Sequence, residues 1–445
     1  MKILKTIFAM VLVLSQVTGN DALAQKTTWS LDDCLAYALD KNIQIQKADL
    51  NTGRNKLNAA QAENNLLPTL NGSVHQSFSA GKSADAVTGE WKKMSGSNSS
   101  SFGLSSSLSL YTGKKLANKI RQANLGLESS RYYSETIRES VSLNILNAFL
   151  QVLYSEESVK NNERQIEATA EQLALAQERL DLGSISTSDY LQIKSELASE
   201  KLTLANSRNQ LTMAKINLEQ LMELPVMENF EVLAPGLDSL LSRNEQPDAG
   251  EVYNLALKIK PQVKNAELTK ESAKLDVEIA RADLLPSLSL EAGLSSGYSS
   301  VLNGFSYFNQ VYNKITPSAG ISLSIPIFQK KQVKTNISLA QISVADAELD
   351  EINTRNELRK SIEQACTDVT SARTEYAASL EQFMAQQESN QVATEKYRNG
   401  MMNSVDYLFE KNNLIQSESQ LLQSKYNLIF CYKVVDFYKG IPITL

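Results

Sequence analysis

Leu66-Leu67-Pro68-Thr69-Leu70 returns as Leu284-Leu285-Pro286-Ser287-Leu288. Gly183 with Asp189-Tyr190-Leu191 returns as Gly400 with Asp406-Tyr407-Leu408, at nearly the same offset of about 217 residues. An offset that long marks a duplicated structural unit rather than a short solenoid module. The 445-residue chain is therefore expected to hold two repeats, residues 25–222 and 248–445, joined by a linker at 223–247.

Each repeat reads in one order: helix, β pair, very long helix, tight turn, helix. Ser30 with Asp33 offers a capping box for a helix running to about Leu66, where Pro68 stops it. The second repeat starts near Asp248 and runs to about Asp283, with Pro286 in the same part. Beyond each proline the apolar period changes to strict alternation, in β pairs at 68–112 and 286–328. Leu70, Val74 and Phe78 lead to Phe102, Leu104, Leu108 and Leu110; Leu288, Leu290, Ala292, Leu294 and Tyr298 lead to Ala319, Ile321, Leu323, Ile325 and Ile327. Between them stand mainly Ser and Gly, the residues of a crowded inward face. The loops at 80–99 and 299–315 read as long and polar.

Strands of about ten residues suit a tilted crossing of a bilayer. A lone hairpin cannot cross, because its edges would leave backbone groups unpaired in hydrocarbon. Four strands per chain also fall short of the smallest membrane barrels, which have about eight, so several copies must share one barrel. Two copies give about eight strands, a barrel filled by its own side chains; three give about twelve, which suits a conduit.

The helices after each β pair are expected at 115–181 and 332–398, each about 100 Å long at ~1.5 Å per residue. On the first, Ile137, Val141, Ile145, Ala148 and Val152 form one apolar stripe and Leu143, Leu146, Leu150 and Leu153 a second. Ser140, Asn144, Asn147 and Gln151 separate them. Two stripes with a wet strip between belong to a stave in the wall of a tube, whereas an antiparallel coiled coil needs only one. The turns at 182–190 and 399–407 each stop one helix with a glycine and start the next with a cap, Ser186 or Asn403, three residues before Asp189 or Asp406. Those carboxylates favour a helix start; grouped at the end of a closed oligomer they would also form a selective ring.

Other chemistry is missing. His75 is the single histidine and falls out of phase with the apolar residues of its strand, while Gly113-Lys114-Lys115 lacks the rest of a phosphate loop. Cys34, Cys366 and Cys431 have no metal or disulfide spacing, and Met401-Met402 has no His or Cys beside it. No enzyme, cofactor or metal site is expected, and a net charge of −6 argues against nucleic acid. Lys2 and Lys5 before the apolar run from Ile7 to Leu14, then Ala22-Leu23-Ala24, read as a secretory signal at residues 1–24, cleaved between Ala24 and Gln25.

With these residues the chain resembles the TolC-like outer-membrane efflux proteins. The resemblance rests on the duplicated halves, the Leu-Leu-Pro-x-Leu lead into each β pair, Ile325-Pro326-Ile327-Phe328, and the glycine turns ending in Asp-Tyr-Leu. It implies a mainly α protein with membrane β: a homotrimer whose four strands per chain form a shared 12-stranded barrel in the outer membrane of a Gram-negative bacterium. A long periplasmic α-helical barrel would continue it, with a belt formed partly by the linker and the C-terminal end. It further implies that a periplasmic adaptor docks on the tips, at Leu182, Gly183, Ser184, Asn399, Gly400 and Met401. Through the adaptor an inner-membrane pump of the RND, ABC or MFS type would hand over solutes or proteins. In the family, tip aspartates line a closed aperture that a tyrosine and an arginine hold shut. Asp406 matches a lining aspartate, Tyr397 the tyrosine and Asp189 its partner, whereas Met402 replaces the arginine and Phe409 the second aspartate. Closure is thus expected from a Tyr397–Asp189 hydrogen bond and from packing of Met402 and Phe409. Two other readings of these residues are an adhesive or structural trimeric coiled-coil protein with a β anchor, which gives no reason for duplicated tips, and a periplasmic adaptor, which would show one helical hairpin rather than two.

Overall fold

A computed structural model describes residues 28–445 apart from 83, 85–86, 92–94, 226–229, 244–245 and 303. The signal segment, with Ala24 and Gln25, lies outside the described residues, as does part of the linker. In chain order the elements are β1 (Thr28–Trp29), α1 (Leu31–Lys41), α2 (Ile43–Asn64), β2 (Thr69–Gly81), β3 (Ser95–Tyr111), α3 (Lys115–Asp181) and α4 (Thr187–Met222). There follow β4 (Glu231–Val232), α5 (Asp238–Leu241), α6 (Ala249–Ile259), α7 (Pro261–Ala282), β5 (Ser287–Ser299), α8 (Tyr307–Asn313), β6 (Thr316–Ser324), α9 (Gln332–Arg398) and α10 (Ser404–Tyr438). The chain divides into two units. One gathers residues up to Ile45, Arg138–Ala256 and Ser361–Leu445; the other gathers Gln46–Ile137 and Leu257–Lys360.

The second unit carries one antiparallel sheet in the order β2-β3-β5-β6. Its register sorts the side chains by face. Val74 stands opposite Phe102, Leu104 opposite Leu294, and Leu108 opposite Leu290, which in turn faces Ile321. One residue along, the other face holds rows such as Ser73–Gly103–Ser295 and Ser105–Gly293–Ser318, with His75 and Glu291 among them. Small residues are required there. A Cβ on Gly103 would meet Ser73 Oγ at 2.8 Å, and one on Gly297 would meet the Ser100 carbonyl oxygen at 2.8 Å. Both outer strands, β2 and β6, leave an edge unpaired among the described residues. Below the sheet the helices are stitched laterally: Lys115 to Asp283 at 2.6 Å, Gln122 to Asp276 at 2.7 Å, and Glu351 between Lys270 at 2.5 Å and Arg355 at 2.7 Å.

The first unit buries most of both stripes of α3, including Val141, Ile145, Leu146, Val152 and Leu153, together with Phe149, while Asn144, Asn147 and Gln151 are exposed. β1 pairs in parallel with β4. Trp29 sits edge-on to Tyr37, ring centroids 5.5 Å apart, and beside Phe230. Arg243 meets both oxygens of Asp436 at 2.9 and 3.0 Å, tying the linker to α10.

Four expectations need correction. The first helix does not run unbroken to Leu66: Asn42, with ψ 128°, interrupts it. The Asn42 side chain accepts from Gln44 N at 2.9 Å and donates to Leu221 O at 2.9 Å, so a polar tertiary contact stabilises the break. In the second repeat Pro261 does the same, lacking the N–H that continuation from α6 would use. The strand before α9 ends at Ser324, short of 328, because Pro326 has no donor for the ladder. The loop at 299–315 is not simply polar, since it contains α8 and exposed aromatic side chains.

Candidate functional site: the paired tip turns

Both turns are built by the same local chemistry. Gly183 takes φ +70° and Gly400 φ +71°, the left-handed conformation that ends a helix without a Cβ penalty. Ser184 N donates to Arg179 O at 2.8 Å and Met401 N to Lys396 O at 2.8 Å, so the last carbonyls of α3 and α9 are satisfied. The following helices then start on caps. Asp189 N donates to Ser186 Oγ at 3.1 Å, and the Asp189 carboxylate accepts from the Ser186 hydroxyl at 2.6 Å. Asp406 N donates to Asn403 Oδ1 at 2.8 Å, and Asn403 Nδ2 donates back to Asp406 at 2.8 Å.

The two turns are joined by contacts between residues far apart in the chain. Ser404 hydrogen-bonds the second carboxylate oxygen of Asp189 and lies 2.6 Å from Gln192 Oε1. Hydrogen bonds from Ser186 and then from Ser404 hold the Asp189 carboxyl below the usual aspartate range. From the other side, Arg179 donates to the carbonyl of Tyr397 at 3.2 Å and to that of Arg398, and its guanidinium lies 5.8 Å from the Tyr397 ring centre. Tyr397 in turn stacks on Tyr407, centroids 4.7 Å apart and planes 17° from parallel. Tyr407 is fully buried and accepts a hydrogen bond from Gln172. Burial pushes both phenols above their ordinary range.

This arrangement joins two helical hairpins side by side, with contacts between α3 and α10 continuing behind the tips from Gln165 to Glu418 and from Glu157 to Lys425. No cluster of metal-ligating residues occurs among the described residues. Residues 35–223 and 252–429 match the outer membrane efflux protein family. The chain belongs to that family. Among curated relatives, OpmQ, a pyoverdine export outer membrane protein of Pseudomonas aeruginosa, is 29% identical over 68% of this chain and 62% of its own. The matched stretch thus spans less than two thirds of that relative. The outer membrane protein TolC of Escherichia coli is 22% identical over 94% of this chain and 83% of its own. The crystal structure of CusC superposes with a TM-score of 0.79 at 17% identity, covering 93% of this chain and 92% of that one. The Campylobacter jejuni CmeC outer membrane channel gives 0.79 at 20%, covering 92% and 85%. At such identities these two structures show the shared fold.

Within this efflux protein, the residues singled out from sequence all stand at the two turns. Leu182 and Met401 are exposed, at 83% and 71%, and Gly183, Ser184, Asn399 and Gly400 complete the outer surface of the turns. Asp406 and Phe409 face outward together, Phe409 being 64% exposed, while Met402 is half-buried beside Ala385, Val392 and Glu410. Packing of Phe409 is therefore not supplied within one chain. The hydrogen bond expected between Tyr397 and Asp189 is not formed: the Tyr397 hydroxyl is buried without a partner among the described residues, and the Asp189 oxygens accept from Ser186 and Ser404. Stacking on Tyr407 turns the Tyr397 ring to a different use. Arg179, Ser404, Gln192 and Tyr407 were not identified from sequence. Tyr407 stood in the repeated Asp-Tyr-Leu motif, but nothing local marked Arg179 or Ser404, whose partners lie about 215 residues away.

Proposed function

We propose that this chain is the outer-membrane exit duct of a tripartite efflux or type I secretion system, assembled as a homotrimer and gated at its paired tips. The observation that carries the reading is the four-stranded sheet, apolar on one face and Ser/Gly-lined on the other, with both edges open. An edge strand in hydrocarbon must be paired, so β2 of one copy has to meet β6 of the next, and three copies close about twelve strands. The apolar face then meets lipid, and the face with His75 and Glu291 lines the bore. Family membership and the names of its relatives support an export role. Leu182, Gly183, Ser184, Asn399, Gly400 and Met401 form the surface offered to a periplasmic adaptor, which links the duct to an inner-membrane pump of the RND, ABC or MFS type. Asp406, Met402 and Phe409 face the aperture, where the exposed Phe409 packs against its symmetry mates and narrows the passage by an apolar ring in place of a charge lock.

Cysteine pairs between Ser73 on β2 and Ser318 or Ser322 on β6 test the assembly. Oxidation is expected to yield covalent trimers that conduct ions in planar bilayers. Intramolecular products alone, or detergent-free release from membranes, would overturn the reading.

A further inference from the structure

The short helix α8 is inside out for an element that faces water. Its polar residue Gln310 is turned inward, 4% exposed, where its Oε1 accepts from Ser299 N at 3.0 Å and its Nε2 donates to Leu302 O at 3.4 Å and Phe305 O at 3.2 Å. Its aromatic residues are turned outward: Phe308 is 81% exposed, Tyr312 77%, and Phe305, just before the cap residue Ser306, 62%. Phe308 and Tyr312 are four residues apart and share one side of the helix.

The side of the sheet on which α8 sits is also fixed. Ser296 hydrogen-bonds the carbonyl of Val311, and the Tyr298 ring lies 4.7 Å from that of Tyr307. Ser296 and Tyr298 alternate in phase with Leu290 and Leu294, so α8 rests on the apolar face, at the end of β5 away from the long helices. From Leu288 to Tyr298 the strand climbs roughly 33 Å at ~3.3 Å per residue. Tilted by ~40°, it gains about 25 Å, the height of the apolar band of an outer-membrane barrel. The aromatic side of α8 thus stands at the upper edge of that band, where amphipathic rings collect at headgroup level.

We infer that α8 is an interfacial membrane anchor, inserting Phe305, Phe308 and Tyr312 into the headgroup–acyl boundary of the lipid around the barrel. The inference rests on the membrane reading of the sheet and adds a specific lipid-binding surface outside the strands. Continuity with the apolar face selects lipid as the occupant. Gln310 fastens α8 in place, since it satisfies one backbone group of β5 and two of the loop.

Nitroxide labels on full-length protein in outer-membrane lipid vesicles test it, with collision of the label by oxygen and by a water-soluble nickel chelate read by electron paramagnetic resonance. The three native cysteines are buried, so Phe308→Cys, Tyr312→Cys and Leu290→Cys can be labelled selectively, with Lys201→Cys as the water reference. The expected result is an oxygen-to-nickel ratio shifted well above the reference at 308 and 312, and further still at 290. A lipid-like 290 with a water-like 308 would overturn the anchor and leave the membrane sheet intact. A water-like 290 would overturn the sheet reading itself. Labels at 308 shielded from both agents would show the helix packed against another copy, and would also overturn the anchor.

Discussion

Lys411 on α10 and Glu200 on α4 form a buried ion pair, Nζ to Oε1 2.6 Å, with each side chain 7% exposed. The same ammonium hydrogen-bonds Thr169 on α3, so one charge joins three helices behind the tip. The second Glu200 oxygen has no partner among the described residues. A buried pair gains little over an apolar substitute, but breaking one side strands the other charge. Glu200→Leu or Lys411→Met alone should each cost about 3 kcal/mol, whereas the two together should be close to neutral. Denaturant unfolding of the purified protein followed by circular dichroism checks this, and additive losses in the double variant would refute it.

Arg179 and Tyr397 separate two ideas of how the tips are held. Because the Tyr397 hydroxyl has no partner among the described residues, Tyr397→Phe should leave single-channel conductance and open probability unchanged. Arg179→Ala removes two hydrogen bonds across the tips and should raise the open-to-closed ratio roughly 30-fold, at about 1 kcal/mol per bond. Planar-bilayer recordings of both variants decide the matter; a large effect of Tyr397→Phe would restore the hydroxyl to the lock.

Asp189 gives the tip a pH dependence of known sign. Its folded pKa is depressed, chiefly by Ser186 and then by Ser404. Its contribution is therefore complete above the ordinary aspartate value near 4 and is lost as pH falls through the lower folded value. Between pH 5 and 8 this contact should not change. Ser404→Ala should move the Asp189 titration upward toward the ordinary value, and Ser186→Ala should move it further. Carbon-13 carboxyl shifts in aspartate-labelled protein report both.

Cys431 tests burial in the first unit. Burial pushes its thiol up to about 11, so at pH 8 only about one molecule in a thousand carries the reactive thiolate. Cys34 is fully enclosed. Ellman's reagent at pH 8 should find none of the three buried cysteines, Cys34, Cys366 and Cys431, in the folded protein and all three in 6 M guanidinium; rapid labelling of native Cys431 would contradict the packing of α10.

Gly297 tests the crowded face of the sheet. A Cβ there meets a backbone oxygen of β3, which cannot swing aside as a side chain would. Gly297→Val should cost roughly 1–3 kcal/mol by overpacking and lower the yield of assembled protein. Gly96→Ala, with open space around its Cα, should assemble normally. Gel analysis of membrane extracts compares the two.

Much of this architecture was legible in the residues, because it is specified by local period and punctuation. Two long helices needed only a 3.6-residue apolar pattern free of breakers, and each ends at a glycine able to take positive φ. Alternation from Leu70 and from Leu288 placed the strands, and the Ser/Gly phase placed their small face. Legibility failed where a distant group decided the outcome. Asn42 ends α1 because Leu221 offers a carbonyl 179 positions away in sequence. At the tips, residues alone proposed Asp189 and Tyr397 as partners, while the fold gave Asp189 to Ser404 and Tyr397 to Tyr407 and Arg179.

By itself the sequence determined the repeat, the two long helices, the strands and the turn chemistry, since these depend on side chains within a few residues of one another. Tertiary structure alone decided which polar groups meet across the tips, which face of the sheet carries α8, and where a buried Lys–Glu pair closes. Those outcomes follow from competition among many possible donors and acceptors, and only the three-dimensional placement of the helices and strands settles which pair lies within hydrogen-bonding reach.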